Sequence, residues 1–332
     1  MLTQENLAPH ATQFYHDLPP VVRELPADLE TPVSVYLKLA GEGPSFLLES
    51  ITGGETLARY SFIGVQPSRA CILRGRQFEV RHAAGSEVYD LGDGDPLDAL
   101  RREMDACQSM SLPGLPRFNG GLVGYMGYEM MRFFEPNVSL TPHADQPDAI
   151  FLLADTLVAF DHAFGRLLLI ARPRAAASPE AALSEAGARL DAIQARLDGS
   201  LPSGSALPAT PADPQLHSNL TREEFNEAVE MAKEHISAGD IFQIVLSQRL
   251  SRKTTASPFS IYRALRSLNP SPYMFFFDFA DLAGQPGLQL IGASPELHVR
   301  LEGRRAAIRP IAGTRPRSSS AGRCNWAMNR RT

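Results

Sequence analysis

The hydrophobic pattern changes period several times along the chain, and those changes mark its elements. Val33-Ser-Val-Tyr-Leu-Lys-Leu alternates in the manner of a half-buried strand, and Phe46-Leu-Leu-Glu-Ser reads as a second short one. Cys71-Ile-Leu, Phe78-Glu-Val and Ser86-Glu-Val-Tyr predict further strands separated by turn residues. Pro96 to about Cys107 is helical, with Leu97, Leu100 and Met104 on one side. Phe151 to Phe160 and Arg166 to Ala171 predict paired strands joined through Asp161-His-Ala-Phe-Gly, and a helix follows from about Pro179 to Leu197. The first stretch, Met1 to about Pro26, is polar and broken by Pro19, Pro20 and Pro26, so it predicts a tail or early helix.

Asp198 to Ser218 is rich in Pro, Ser, Gly and Ala and predicts a linker. Beyond it, Thr221-Arg-Glu-Glu has the form of a capping box, in which the Thr hydroxyl and the Glu224 carboxylate each serve the other's backbone amide. Phe225, Ala228, Val229, Ala232 and Ile236 then form one apolar face, and Gly239 supplies the stop. Ile241 to Leu250 alternates, which predicts a strand with Gln243, Val245, Ser247 and Arg249 on one face. Ser257-Pro258 opens another helix that must end near Asn269-Pro270. Strands are expected at Tyr273–Phe279, Leu288–Ile291, Leu297–Leu301 and Ala306–Ile311. Helices followed by runs of strands indicate an α+β fold.

Gly120-Gly-Leu-Val-Gly-Tyr-Met-Gly-Tyr matches neither phosphate-loop pattern, and close strand packing is the commoner reason for such glycines. The 332 residues suffice for two domains, and an apolar content of 44% supports a real core. Cys71, Cys107 and Cys324 show no paired or metal-type spacing and read as free thiols in a reducing compartment. The net charge of −5 argues against nucleic acid as a partner. With no charged-then-apolar leader and no apolar run long enough to cross a bilayer, a cytoplasmic protein is the expectation. The charge is uneven: Gly303 to Thr332 holds eight of the 32 basic residues and none of the 37 acidic ones.

Four segments together resemble the large subunit of anthranilate synthase. They are Phe46-Leu-Leu-Glu-Ser, Gly239-Asp-Ile-Phe-Gln-Ile-Val-Leu-Ser, Asn269-Pro-Ser-Pro-Tyr-Met and Arg309-Pro-Ile-Ala-Gly-Thr-Arg-Pro-Arg. Their order and spacing, with the Gly-rich segment between the first two, carry the resemblance from about Leu37 to Arg317. It implies a two-domain chorismate-utilising fold, a β-sheet sandwich flanked by helices. The expected division is 1–197 for the N-terminal domain, 198–218 for the linker and 219–317 for the first part of a chorismate-binding domain that is incomplete.

The resemblance also implies a reaction, in which ammonia and chorismate give anthranilate and pyruvate. Mg²⁺ is the implied cofactor, and a glutamine amidotransferase (component II) is the implied partner and ammonia source, making a hetro-oligomer with no nucleic-acid or membrane role. Gly313 and Thr314 read from residues alone as an ordinary strand-end turn; the resemblance makes them chorismate contacts, donating from backbone amide and hydroxyl. Ala312 stands where the related aminodeoxychorismate synthase carries a lysine able to attack the ring. Gln243 stands where isochorismate-forming relatives carry a lysine that activates water; a neutral amide is compatible with ammonia instead. Both positions favour anthranilate synthase, with aminodeoxychorismate synthase and a non-catalytic tryptophan-binding fragment as alternatives.

By the same resemblance, Glu49 and Ser50 meet Pro272, Tyr273 and Met274 and hold tryptophan as a feedback inhibitor, with Arg59 as a further contributor. A carboxylate suits the ligand's ammonium, and Pro, Tyr and Met offer an apolar wall for indole. The competing reading from residues alone is a Pro270-Ser-Pro turn and a solvated strand glutamate. After Arg317 the family pattern of acidic helix, metal-binding glutamates and catalytic histidine gives way to Ser318-Ser-Ser-Ala-Gly-Arg-Cys-Asn-Trp-Ala-Met-Asn-Arg-Arg-Thr. This 318–332 tail has no periodic pattern and holds Trp326, the sole tryptophan, so it reads as a frameshifted end or a basic extension. A frameshift predicts a chain that does not turn over chorismate.

Overall fold

The computed structural model describes residues 18–41, 43–51, 59–105, 112–135, 137–138, 140, 146–202 and 215–310. The first half runs β1 (Val21–Pro26), α1 (Pro32–Leu39), β2 (Ser45–Glu49), β3 (Tyr60–Val65), β4 (Arg69–Arg74), β5 (Gln77–His82), β6 (Gly85–Asp90) and α2 (Pro96–Asp105). Then come β7 (Gly121–Met126), the one-turn α3 (Met131–Phe134), β8 (Ala149–Ala154), β9 (Thr156–Asp161), β10 (Arg166–Ala171) and α4 (Pro179–Leu197). The remainder is β11 (His217–Ser218), α5 (Arg222–Ala238), β12 (Leu250–Ser251), α6 (Pro258–Leu268), β13 (Tyr273–Asp278), β14 (Gln289–Ser294), β15 (Arg300–Glu302) and β16 (Arg305–Ala307).

Two antiparallel sheets dominate. The larger has seven strands in the order β1-β10-β9-β3-β2-β13-β14, the smaller five in the order β6-β5-β4-β8-β7. Their facing sides bury one apolar cluster that includes Phe46, Leu157 and Phe277 from the larger sheet and Ile72, Ile150 and Leu152 from the smaller. The outer face of the larger sheet is covered by α1, α4 and α6 through Tyr36, Leu190 and Tyr262. The outer face of the smaller sheet takes Ala99 of α2. The architecture is α+β, a helix–sheet–sheet–helix sandwich, as the pattern predicts.

One residue separates the two sheets where the chain crosses. The apolar run from Phe151 to Phe160 predicts a single strand, but β8 and β9 lie in different sheets on either side of Asp155. The buried Asp155 carboxylate accepts hydrogen bonds of 2.6 and 3.0 Å from Arg174. A buried charge needs such pairing, which ties the crossing point to the segment before α4.

Four local expectations are corrected. Residues 33–39 form α1, not a strand: Thr31 caps it with Ser34, Pro32 sits in its first turn, and Val35, Tyr36 and Leu39 are buried. The i, i+4 spacing of Val35 and Leu39 was masked by the Val33/Val35 alternation. Residues 21–26 are strand β1, whose Pro26 is tolerated because β1 lies at the sheet edge. Residues 241–249 form no strand, and Phe242 and Val245 are exposed; a strand is held by its ladder, and only Leu250 and Ser251 find one, with β11. The last two expected strands shrink to the three-residue pair β15 and β16. By contrast α4 has the expected bounds, and Gly239 ends α5 with φ 86°.

The glycine segment forms β7. A Cβ on Gly124 would lie 1.9 Å from the Ile150 carbonyl oxygen of β8, so close strand packing explains that glycine. Cys71 is buried and forms no disulfide among the described residues, while Cys107 and Cys324 lie outside them.

Candidate ligand site at the end of the large sheet

The larger sheet joins residues from both sides of the expected linker. β13 pairs with β2 so that Met274 lies opposite Glu49, Phe275 opposite Leu48 and Phe276 opposite Leu47. The Ile51 amide donates to the Ser271 carbonyl at 3.2 Å and continues the junction beyond the ladder. Glu49, Ser50, Pro272, Tyr273 and Met274 therefore meet at one end of the sheet. Because side chains alternate, Met274 points with Phe276 into the helix-side core while Tyr273 leaves on the other face.

Glu49 shares the helix-side face with Leu47, and its carboxylate meets α6 there. Arg266 donates from Nε to Oε2 at 2.9 Å and from Nη2 to Oε1 at 3.0 Å. The Tyr262 hydroxyl donates to Oε2 at 2.5 Å. Tyr262 and Arg266 are one helical turn apart, so one face of α6 supplies both donors. Burial, with the Glu49 charge and hydrogen bond, pushes the Tyr262 phenol far above its ordinary range, so it remains a donor. For Arg266, burial acts to lower the pKa, but the hydrogen bond and charge of Glu49 win and raise it.

The row continues across the neighbouring strands. Ser61 of β3 and His162, just past β9, share a hydrogen bond of 2.8 Å. The His162 ring stacks on Phe160 at 4.6 Å. Burial lowers the His162 pKa below 6.5, outweighing the opposing pull of Glu49 and Asp161. The Ser50 Oγ is buried and has no hydrogen-bond partner. An orphaned buried hydroxyl is a costly arrangement for a turn, and a bound polar ligand would relieve it.

Arg59 meets this row through its backbone carbonyl, which accepts from the His162 amide at 2.8 Å. Its guanidinium forms two hydrogen bonds of 3.1 Å to the fully buried Asp161 and lies over the Tyr60 and Phe164 rings. Gln243 is exposed in the segment that forms no strand. Ala312, Gly313 and Thr314 lie outside the described residues, as does the 318–332 tail. Among the described residues no group of three or more His, Cys, Asp or Glu side chains is placed to hold a metal ion. No described helix is long and apolar enough to cross a membrane.

Sequence reasoning missed Tyr262, Arg266 and His162. A signal for the first two existed: an arginine one turn after a tyrosine on a helix otherwise read only for its caps. His162 was read as part of a hairpin turn.

Comparison with known proteins agrees with this geometry. The chorismate binding enzyme family matches residues 43–325. The chain is 40% identical to anthranilate synthase component 1 of Pseudomonas putida over 310 residues, covering 91% of this chain and 60% of that protein. It is 38% identical to the Neisseria gonorrhoeae protein of the same name, covering 96% of this chain and 64% of that one. The chain thus spans less than two thirds of the length of these curated relatives. The crystal structure of anthranilate synthase component I from Streptococcus pneumoniae TIGR4 superposes with a TM-score of 0.59 at 28% identity, covering 84% of this chain and 59% of that one. With the sandwich, the strand pairing and the family match in agreement, the chain belongs to the chorismate binding enzymes.

Proposed function

We propose that this chain belongs to the large subunit of an anthranilate synthase, and that the end of its large sheet binds tryptophan as a feedback inhibitor. The observation that carries the regulatory half is the Glu49–Met274 cross-strand pair, which gathers the carboxylate, the orphaned Ser50 hydroxyl and the Pro272–Met274 segment. Similarity to component 1 proteins from several bacteria supports the catalytic half.

In the proposed reaction ammonia adds to the chorismate ring and the ring hydroxyl leaves as water. Elimination of pyruvate then gives the aromatic product. Gln243, being neutral, leaves ammonia rather than activated water as the nucleophile. Ala312 excludes covalent attack from that position, and Gly313 and Thr314 would donate to the substrate's anionic groups. Ammonia would come from glutamine through an amidotransferase partner in the cytoplasm. Bound Mg²⁺ would supply Lewis-acid stabilisation; the described residues do not form a site that fits it.

Anthranilate fluorescence tests the reading, with chorismate, Mg²⁺ and ammonium and with or without tryptophan. Joined to the remaining length of a component 1 relative, the chain should produce anthranilate and lose that activity with tryptophan. A joined protein that makes isochorismate or aminodeoxychorismate instead would overturn the assignment.

A further inference from the structure

We draw no further inference here: the strongest candidate, the exposed apolar patch of Met126, Tyr128, Met131 and Phe134 where the edge strand β7 runs into α3, carries no proposal because nothing in the structure shows what covers it.

Discussion

Glu49 of β2 and Arg266 of α6 are 217 residues apart in the chain and are joined by two hydrogen bonds of 2.9 and 3.0 Å. They fix the last turn of α6 to the strand junction where the two halves of the chain meet. Replacing Glu49 with Ala strands the guanidinium and the Tyr262 hydroxyl. Breaking a buried pair costs about 3–5 kcal/mol, reduced to roughly 2–3 kcal/mol because Arg266 is partly solvated. Urea unfolding should show that loss as a lower midpoint with an unchanged slope. Tyr262→Phe, which removes one hydroxyl and keeps the ring, should cost less.

Two glycines should respond oppositely to the same change. Gly124→Ala forces a methyl group into the Ile150 backbone oxygen and should destabilise by about 1–3 kcal/mol or more. Gly187 lies inside α4 with nothing within 4 Å of an added Cβ, so Gly187→Ala should stabilise by about 0.5–1 kcal/mol. Thermal melts of both variants check the pair.

Stability should fall with acid in two separate windows. His162 has a folded pKa below 6.5, so the unfolded chain takes up its proton first and stability drops as pH falls below about 6.5. Asp161 is opposed by burial, but Arg59 and Arg166 win and lower its pKa below 3.8, so its contribution is lost only in stronger acid. His162→Gln should flatten the first window and leave the second. A first window that persists in this variant assigns it to another group.

Much of the fold was legible in the chain because local chemistry and burial agreed. The Ser178-Pro179 cap and the Ala182, Ala186, Leu190, Ile193 stripe define α4 without reference to anything distant. The Thr221–Glu224 capping box and Gly239 did the same for α5. Errors arose where long-range partners decide. Residues 241–249 alternate like a strand but have no ladder, and Asp155 breaks an apolar run because the two sheets pull its flanks apart. At the site, strand motifs before and after the linker placed Glu49 opposite Met274 correctly. The donors on Glu49 were missed because only packing of α6 on the sheet brings Tyr262 and Arg266 to it. Arg59 was taken from the resemblance alone, and its ion pair with the buried Asp161 had no local signal in the sequence.

The most direct measurement is a calorimetric titration of tryptophan into the full chain, beside Ser50→Phe and Met274→Ala. Ser50→Phe replaces the orphaned hydroxyl with a bulky ring, and Met274→Ala removes the apolar side chain opposite Glu49. Saturable one-site binding by wild type, lost in the first variant and weakened in the second, is the predicted result. No binding by wild type, or equal binding by all three proteins, would contradict a tryptophan site at the end of the large sheet.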